Sequence, residues 1–130
     1  MAEVGSYIYI AMQDLQRAKI MYDVDDYSAS GRFCEQVVEK CFKSYIEAKG
    51  GASDYRLMLL HKPLRLYERC LQLGFKKMSD ADVSVLSKLA DYYYDTNYPG
   101  NSYFELTKAH ADEAVALAEK VVEMFVQPGE

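Results

Sequence analysis

Residues 32–50 read RFCEQVVEKCFKSYIEAKG, and this stretch decides the fold. Its apolar residues recur at steps of three and four positions, which is the spacing of one face of an α-helix. The members of that face are Phe33, Val37, Val38, Cys41, Phe42, Tyr45 and Ile46. Glu39 precedes Lys43 by four residues, the favourable order for a helical ion pair, and Gly50 with Gly51 predicts a left-handed stop. The stretch therefore predicts one amphipathic helix whose acids, among them Glu35 and Glu39, face solvent.

Helical spacing continues on both sides of this stretch. An apolar stripe across Ile8–Tyr22 predicts a first helix, and Asp26 or Ser28 can cap the second one. Residues Ser79–Asp82 have the pattern of a capping box for a fourth helix. A last helix is predicted from about Phe104 to Val126. Because no segment alternates with the period of a strand, we expect an all-α protein.

The third helix is predicted to begin at Ser53 or Asp54 and to end at Gly74. Pro63 should lie in its first turns or kink it, because proline lacks a backbone donor. Together the segments predict an up-and-down helical bundle of four long helices plus a shorter fifth element. A chain of 130 residues is long enough for one core, so we expect a single domain over residues 1–130.

Composition and motifs exclude several classes of protein. Half of the residues are hydrophobic, which argues against disorder, yet no apolar run approaches the roughly 20 residues that span a bilayer. No signal peptide is recognised, and the three cysteines lack a CxxC pair, so we expect buried free thiols in a cytoplasmic protein without membrane association. His110 has no second ligand at metal spacing, so we expect a core or interface role and no metal. No glycine-rich phosphate loop or dinucleotide motif is present, and no cofactor is predicted.

The charge is distributed unevenly. The whole chain carries −5, but from Tyr55 to Met78 six basic residues stand against one acid, which gives +5 there and −10 elsewhere. The basic residues of this segment are Arg56, Lys62, Arg65, Arg69, Lys76 and Lys77. Such a strip can hold one phosphate group or an acidic partner, or it can be a solvated helix face.

The order of four motifs resembles the HEPN domain, a helical module of higher eukaryotes and prokaryotes that binds nucleotides. The four segments, in chain order, are Ala11–Ala18, Tyr27–Gly50, His61–Leu64 and Tyr94–Gly100. They are similar to the family's opening helix, its glutamate- and lysine-bearing second helix, its His-x-x-Leu start of the third helix, and its aromatic turn. In that turn Asn97 stands where the family commonly has arginine. Asparagine cannot make the bidentate, charge-assisted phosphate contact of an arginine.

The resemblance implies a non-catalytic homodimer that binds a nucleotide or docks onto a partner. In the family that partner is often a small nucleotidyltransferase, in systems of toxin–antitoxin type. The residues that would contact a nucleotide are Lys40, Lys43, His61, Asn97 and Tyr98, with the two lysines pointing outward from the second helix. An aromatic cluster near the turn can stack a base or pack in the core, and its members are Tyr92, Tyr93, Tyr94 and Tyr98.

The alternative that the resemblance leaves open is a metal-independent ribonuclease. Family members of this type carry an Arg-x(4–6)-His motif, in which histidine transfers a proton at the ribose and arginine stabilises the charge on phosphorus. Arg56 and His61 match the motif, and they would act across a dimer interface. The match lies earlier in the chain than in those ribonucleases, and the residues between are all apolar. The binding function is therefore preferred over catalysis.

Overall fold

A computed structural model describes residues 3–95, 99–100 and 103–125, and the regular elements in this part of the chain are all helices, with no strand. Five α-helices follow one another: α1 (Tyr7–Asp23), α2 (Tyr27–Lys49), α3 (Pro63–Gln72), α4 (Asp80–Asp95) and α5 (Lys108–Phe125). Two one-turn 3₁₀ helices, Ala52–Asp54 and Leu57–Leu59, lie between α2 and α3. The all-α class is confirmed. The element count differs from the predicted four long helices plus a shorter fifth element, because the described residues hold two 3₁₀ turns in addition to five α-helices.

Helix α2 is the centre of the bundle, since it contacts each of the other four α-helices. Its apolar face is buried as the spacing predicted, with Val37 and Phe42 fully covered. Small residues bring α1 close to α2: Ala11 and Ala18 are completely buried, and the Ser30 hydroxyl donates to the Ala18 carbonyl at 2.8 Å. These contacts fix α1 along one side of α2.

The ends of α2 differ in how well the sequence predicted them. Asp26 is the N-cap, and its carboxylate accepts a hydrogen bond from the Ala29 amide at 3.1 Å. Gly50 ends the helix in an extended conformation with φ −88° and ψ −160°, so the predicted left-handed stop is wrong. The Gly50 amide instead donates back to the Ile46 carbonyl at 2.7 Å.

The predicted third helix starts nine residues later than its expected cap at Asp54. Asp54 caps only a 3₁₀ turn, where its carboxylate accepts from the Gly51 amide at 3.0 Å and binds Arg69. Pro63 is the first residue of α3, a position where its missing N–H costs nothing. Gly74 follows α3 with φ +104°, so the third helix ends at this glycine as the sequence predicted.

The last helix also begins later than predicted, at Lys108 rather than at Phe104. Residues 103–107 form an extended segment that crosses the start of α2, where the Leu106 amide donates to the Ser28 hydroxyl at 2.9 Å. Thr107 and His110 then cap α5 reciprocally. The Thr107 hydroxyl accepts from the His110 amide at 3.3 Å, and the His110 Nδ1 accepts from the Thr107 amide at 3.1 Å.

Candidate functional site

The candidate site is built around Glu39, a carboxylate buried on the polar face of α2. Glu39 is 2% exposed, and the Lys43 ammonium lies 2.6 Å from its Oε1 atom. The Nδ1 atom of His61 lies 3.1 Å from each Glu39 oxygen. Both acids of this face, Glu35 and Glu39, are buried, so the prediction that they face solvent is wrong. The prediction failed because helices on several sides cover α2, including its polar face.

His61 reaches the site from the segment that precedes α3. Its ring stacks on the ring of Tyr93 from α4, with centroids 5.5 Å apart and planes inclined by 12°. The side chain is 42% exposed. Because Glu39 occupies Nδ1, the ring nitrogen without a hydrogen-bond partner among the described residues is Nε2. The imidazole is therefore held at one nitrogen and on one face, with its second nitrogen left for a ligand.

A second group of polar side chains joins α2 to α1. The Lys40 ammonium donates to Asp14 Oδ2 at 2.6 Å and to Gln36 Oε1 at 3.0 Å. The buried Asp14 carboxylate also accepts from Arg17 at 2.8 Å. The Gln36 amide nitrogen donates to Glu35 Oε1 at 2.6 Å. Hydrogen bonds thus run from Arg17 on α1 to the acids of α2.

Glu35 is the most deeply buried member of this set, with no exposed surface. Burial raises the pKa of its carboxyl group to about 10, and the neighbouring Glu39 carboxylate contributes to the rise. Its Oε2 atom has no hydrogen-bond partner in the described part of the protein. Glu35 is therefore neutral at physiological pH and adds no charge to the site.

The polar side chains around Glu39 form one connected group, which we call the polar cluster: Asp14, Arg17, Gln36, Glu39, Lys40, Lys43 and His61. Apart from the imidazole, two carboxylates of the cluster stand against three cations, which gives one excess positive charge in a chain of net charge −5. A single anionic group such as a phosphate suits this balance at the exposed edge. The members of the cluster with the most exposed side chains are Arg17 at 49% and His61 at 42%, and Lys40 is 21% exposed.

The structure places the predicted site residues in three different situations. Lys40 and His61 belong to the polar cluster, and as nucleotide contacts they stay predictions. Lys43 does not point outward as predicted: its side chain is 9% exposed and its ammonium is used by Glu39. Asn97 and Tyr98 lie outside the described residues.

The two residues of the ribonuclease motif are not joined in the described chain. Arg56 is exposed in the 3₁₀ segment before α3, whereas His61 is bound to Glu39, and no hydrogen bond between the two is present in this part of the protein. As a catalytic pair across a dimer interface, Arg56 and His61 stay a prediction.

Sequence reasoning missed Asp14 and Glu39 as members of the site. The i, i+4 spacing of Glu39 and Lys43 predicted their ion pair but not its burial, because the same spacing is typical of a solvent-exposed pair. Asp14 reaches the cluster only through tertiary packing. The predicted aromatic cluster divides: Tyr93 stacks on His61, whereas Tyr92 is 3% exposed and packs in the core.

Other kinds of site are not found among the described residues. These residues hold no group of three or more His, Cys, Asp or Glu side chains placed to bind a metal ion. All three cysteines are buried and free, as the sequence predicted. No described helix has the length and apolar character needed to cross a membrane.

Comparisons with known proteins agree with this architecture. The sequence matches the HEPN domain family over residues 4–128. A comparison with curated proteins finds no match. The fold is similar to that of TT1696 from Thermus thermophilus, a crystal structure, with a TM-score of 0.68 and 21% sequence identity over 91% of each chain. At that identity the likeness concerns the fold alone.

Proposed function

Because this chain belongs to the HEPN family, we propose that it is a homodimeric, non-catalytic module that binds a nucleotide through its phosphate and docks onto a partner protein. Membership of this family supports a nucleotide-binding or ribonuclease-type module. The polar cluster supports the first of these more strongly than the second. The preference depends on how His61 is held.

The observation that carries the proposal is the fixed imidazole of His61. A ring bonded through Nδ1 to a buried carboxylate and stacked on Tyr93 has little freedom left to lose, so a ligand that binds Nε2 has a small ordering cost. The ammonium of Lys40 belongs to the same cluster and can support a phosphate oxygen. These groups bind an anion without needing to move.

Catalysis is less well supported, because among the described residues neither Lys43 nor Arg56 is held against His61 as a fixed cation for the charge at phosphorus. A ribonuclease stabilises the charge of its transition state with a fixed arginine or lysine close to the proton-transferring histidine. Here Lys43 is committed to Glu39, and Arg56 makes no hydrogen bond with His61 in the described chain. The resemblance further implies that Asn97 replaces the family's arginine.

A titration with nucleoside mono-, di- and triphosphates, followed through the melting temperature, tests the binding function. A nucleotide at a hundred times its Kd stabilises by about 2.7 kcal/mol, which raises Tm by roughly 8 °C in a domain of this size. We expect His61→Ala to abolish the shift while Lys88→Ala, which removes an exposed lysine of α4, retains it. The absence of a shift with every nucleotide would refute the nucleotide site.

The second candidate function is a metal-independent ribonuclease. The observation in its favour is the Glu39–His61 pair, because a carboxylate at Nδ1 orients an imidazole for proton transfer at Nε2. In a homodimer, Arg56 of one protomer would have to approach His61 of the other. Incubation with single-stranded and structured RNA in the presence of a chelator decides between the two functions. Cleavage that is lost in both His61→Ala and Arg56→Ala would replace the binding function with this one.

The resemblance also supports a separate small nucleotidyltransferase as the docked partner, in a system of toxin–antitoxin type. Sedimentation of this protein alone and mixed with a nucleotidyltransferase encoded beside it measures both associations. We expect a dimer alone and a larger complex in the mixture. A protein that sediments as a monomer and does not bind the nucleotidyltransferase would contradict both the homodimer and the proposed partner.

A further inference from the structure

The distribution of ion pairs separates one part of the surface from the rest. Among the described residues, eight cationic side chains are seen in ion pairs with acids: Arg17, Lys19, Lys40, Lys43, Arg69, Lys88, Lys108 and Lys120. Six make no ion pair in the part of the chain that the structure describes: Lys49, Arg56, Lys62, Arg65, Lys76 and Lys77. Five of these six lie between Arg56 and Lys77. Unpaired charge is therefore concentrated on α3 and the segments that flank it.

The geometry of α3 turns these cations toward solvent. Its inner face is fixed in the core by Pro63, Leu66, Tyr67 and Cys70. Lys62 and Arg65 are exposed, three residues apart, at the N-terminal end of the helix. Lys76 and Lys77 follow its C-terminal end, about 15 Å away for a helix of 10 residues. Unpaired cations thus lie at both ends of α3.

Two large apolar side chains are exposed beside the N-terminal cations. Tyr55 is 69% exposed and Leu59 is 62% exposed, and Arg56 lies between them in the sequence. A cavity of about 290 Å³ adjoins Tyr55. Ile46 and Met58 are among its apolar lining, and its two acids are Glu47 and Asp54, of which Asp54 is paired with Arg69. Exposed apolar groups next to unpaired cations and a cavity are typical of a protein-binding surface.

We propose that Tyr55, Arg56, Leu59, Lys62 and Arg65, which we call the basic–apolar surface, dock an acidic, amphipathic segment of another protein. Its acids pair with the three cations, and one of its apolar side chains enters the adjoining cavity. This inference rests on the partner-docking part of the proposed function and is independent of the nucleotide site.

Charge complementarity favours a short acidic segment over RNA as the occupant. A long polyanion that follows α3 onto the rest of the protein meets a remainder with a net charge of −10, whereas a short segment contacts only the basic part. Of the two exposed apolar side chains, Leu59 has no aromatic face for base stacking, and Tyr55 borders the cavity that a protein side chain would enter. The charge distribution therefore points to a protein partner.

A synthetic peptide of about 20 residues, long enough to form a helix, tests the proposal. It carries glutamates on one helical face and leucines on the other, and its binding is followed by fluorescence anisotropy. A second peptide with serine in place of leucine has the same charge. We expect the leucine peptide to bind about fivefold or more tightly than the serine peptide, because only leucine can fill the apolar cavity.

Protein variants test whether the peptide binds at the basic–apolar surface. We expect the double variant Lys62→Glu, Arg65→Glu to weaken binding of the leucine peptide by about tenfold or more, since both side chains are exposed and make no ion pair in the described structure. Leu59→Ser should weaken it without changing the salt dependence. Lys88→Glu, a charge reversal on α4, is the matched control and should have no effect. Circular dichroism melting verifies that every variant is folded.

Each other outcome contradicts the proposal. Failure of the leucine peptide to bind, equal binding of the two peptides, or equal effects of the double variant and Lys88→Glu would each overturn it. Tighter binding of a single-stranded RNA oligonucleotide that the double variant loses would assign the surface to RNA instead. The variant His61→Ala distinguishes nucleotide binding from peptide binding. It should abolish the stabilisation by nucleotides and leave the affinity for the peptide unchanged.

Discussion

Replacement of Lys43 by methionine tests the central feature of the polar cluster. The ammonium of Lys43 lies 2.6 Å from Glu39 Oε1, with 9% and 3% of the two side chains exposed. Methionine is similar in length and unbranched, so Lys43→Met removes the charge and leaves no large cavity. The Glu39 carboxylate then remains inside the protein with His61 as its neighbour. The variant therefore measures the cost of an uncompensated buried charge.

The expected loss of stability follows from this geometry. Removal of one partner of a buried ion pair costs about 3–5 kcal/mol. Here His61 Nδ1 stays 3.1 Å from both oxygens of Glu39 and, being partly exposed, brings some solvent contact to the site. We therefore expect Lys43→Met to lower the free energy of unfolding by about 2–3 kcal/mol, a large share of the roughly 5–15 kcal/mol of a typical domain.

Urea unfolding followed by far-ultraviolet circular dichroism measures this loss. Lys88→Met, at an exposed position of α4, is the control and should cost less than about 0.5 kcal/mol. In the double variant Glu39→Leu, Lys43→Met both charges are gone, and we expect a smaller loss than in Lys43→Met alone. Two results would show that the ion pair with Lys43 is not the interaction that stabilises the buried Glu39 carboxylate. These are a loss of less than about 1 kcal/mol in the single variant, or a double variant that is less stable than the single one.

Burial leads to three further predictions. Burial raises the pKa of Glu35 in the folded protein to about 10, from an ordinary value of 4.5. Between these pH values the folded protein binds more protons than the unfolded chain, so the free energy of unfolding falls as the pH rises. Glu35→Gln should make this fall less steep in urea titrations at several pH values. Gly31→Ala should lower the free energy of unfolding by about 1 kcal/mol in thermal melts, because its new methyl group collides with buried Leu106 while the gain in helix propensity offsets part of the strain. Burial raises the pKa of each of the three cysteine thiols to about 12, so iodoacetamide at mildly alkaline pH should alkylate them only after urea unfolds the protein.

The apolar half of the fold could be predicted from the sequence because it depends on local spacing. The apolar face of α2, its cap at Asp26 and the end of α3 at Gly74 all follow from rules that act within a few residues. Ser79 likewise accepts a hydrogen bond from the Asp82 amide at 3.2 Å, as one half of the expected capping box. These elements could be predicted without knowing which other helices they contact.

The polar half could not be predicted in the same way, because its environment is set by tertiary contacts. The rule that charged residues of an amphipathic helix face water assumes a helix with one buried side. Helix α2 is covered on several sides, so Glu35, Glu39 and Lys43 lie inside although their spacing suggests solvent. The late start of α3 has a similar origin, since Asp54 is committed to the Gly51 amide and Arg69.

The burial of several charged and polar side chains on α2 bears on the function of the polar cluster. A buried ion pair replaced by apolar residues of similar size often leaves a protein equally or more stable, because the desolvation cost offsets the attraction. Neutral Glu35, with one oxygen lacking a hydrogen bond in the described structure, adds a further cost. An apolar α2 would thus hold the bundle together as well as this one does. What an apolar helix cannot do is hold His61 at its Nδ1 atom and leave Nε2 for a ligand, and that placement is the reason we connect the cluster with binding rather than with stability.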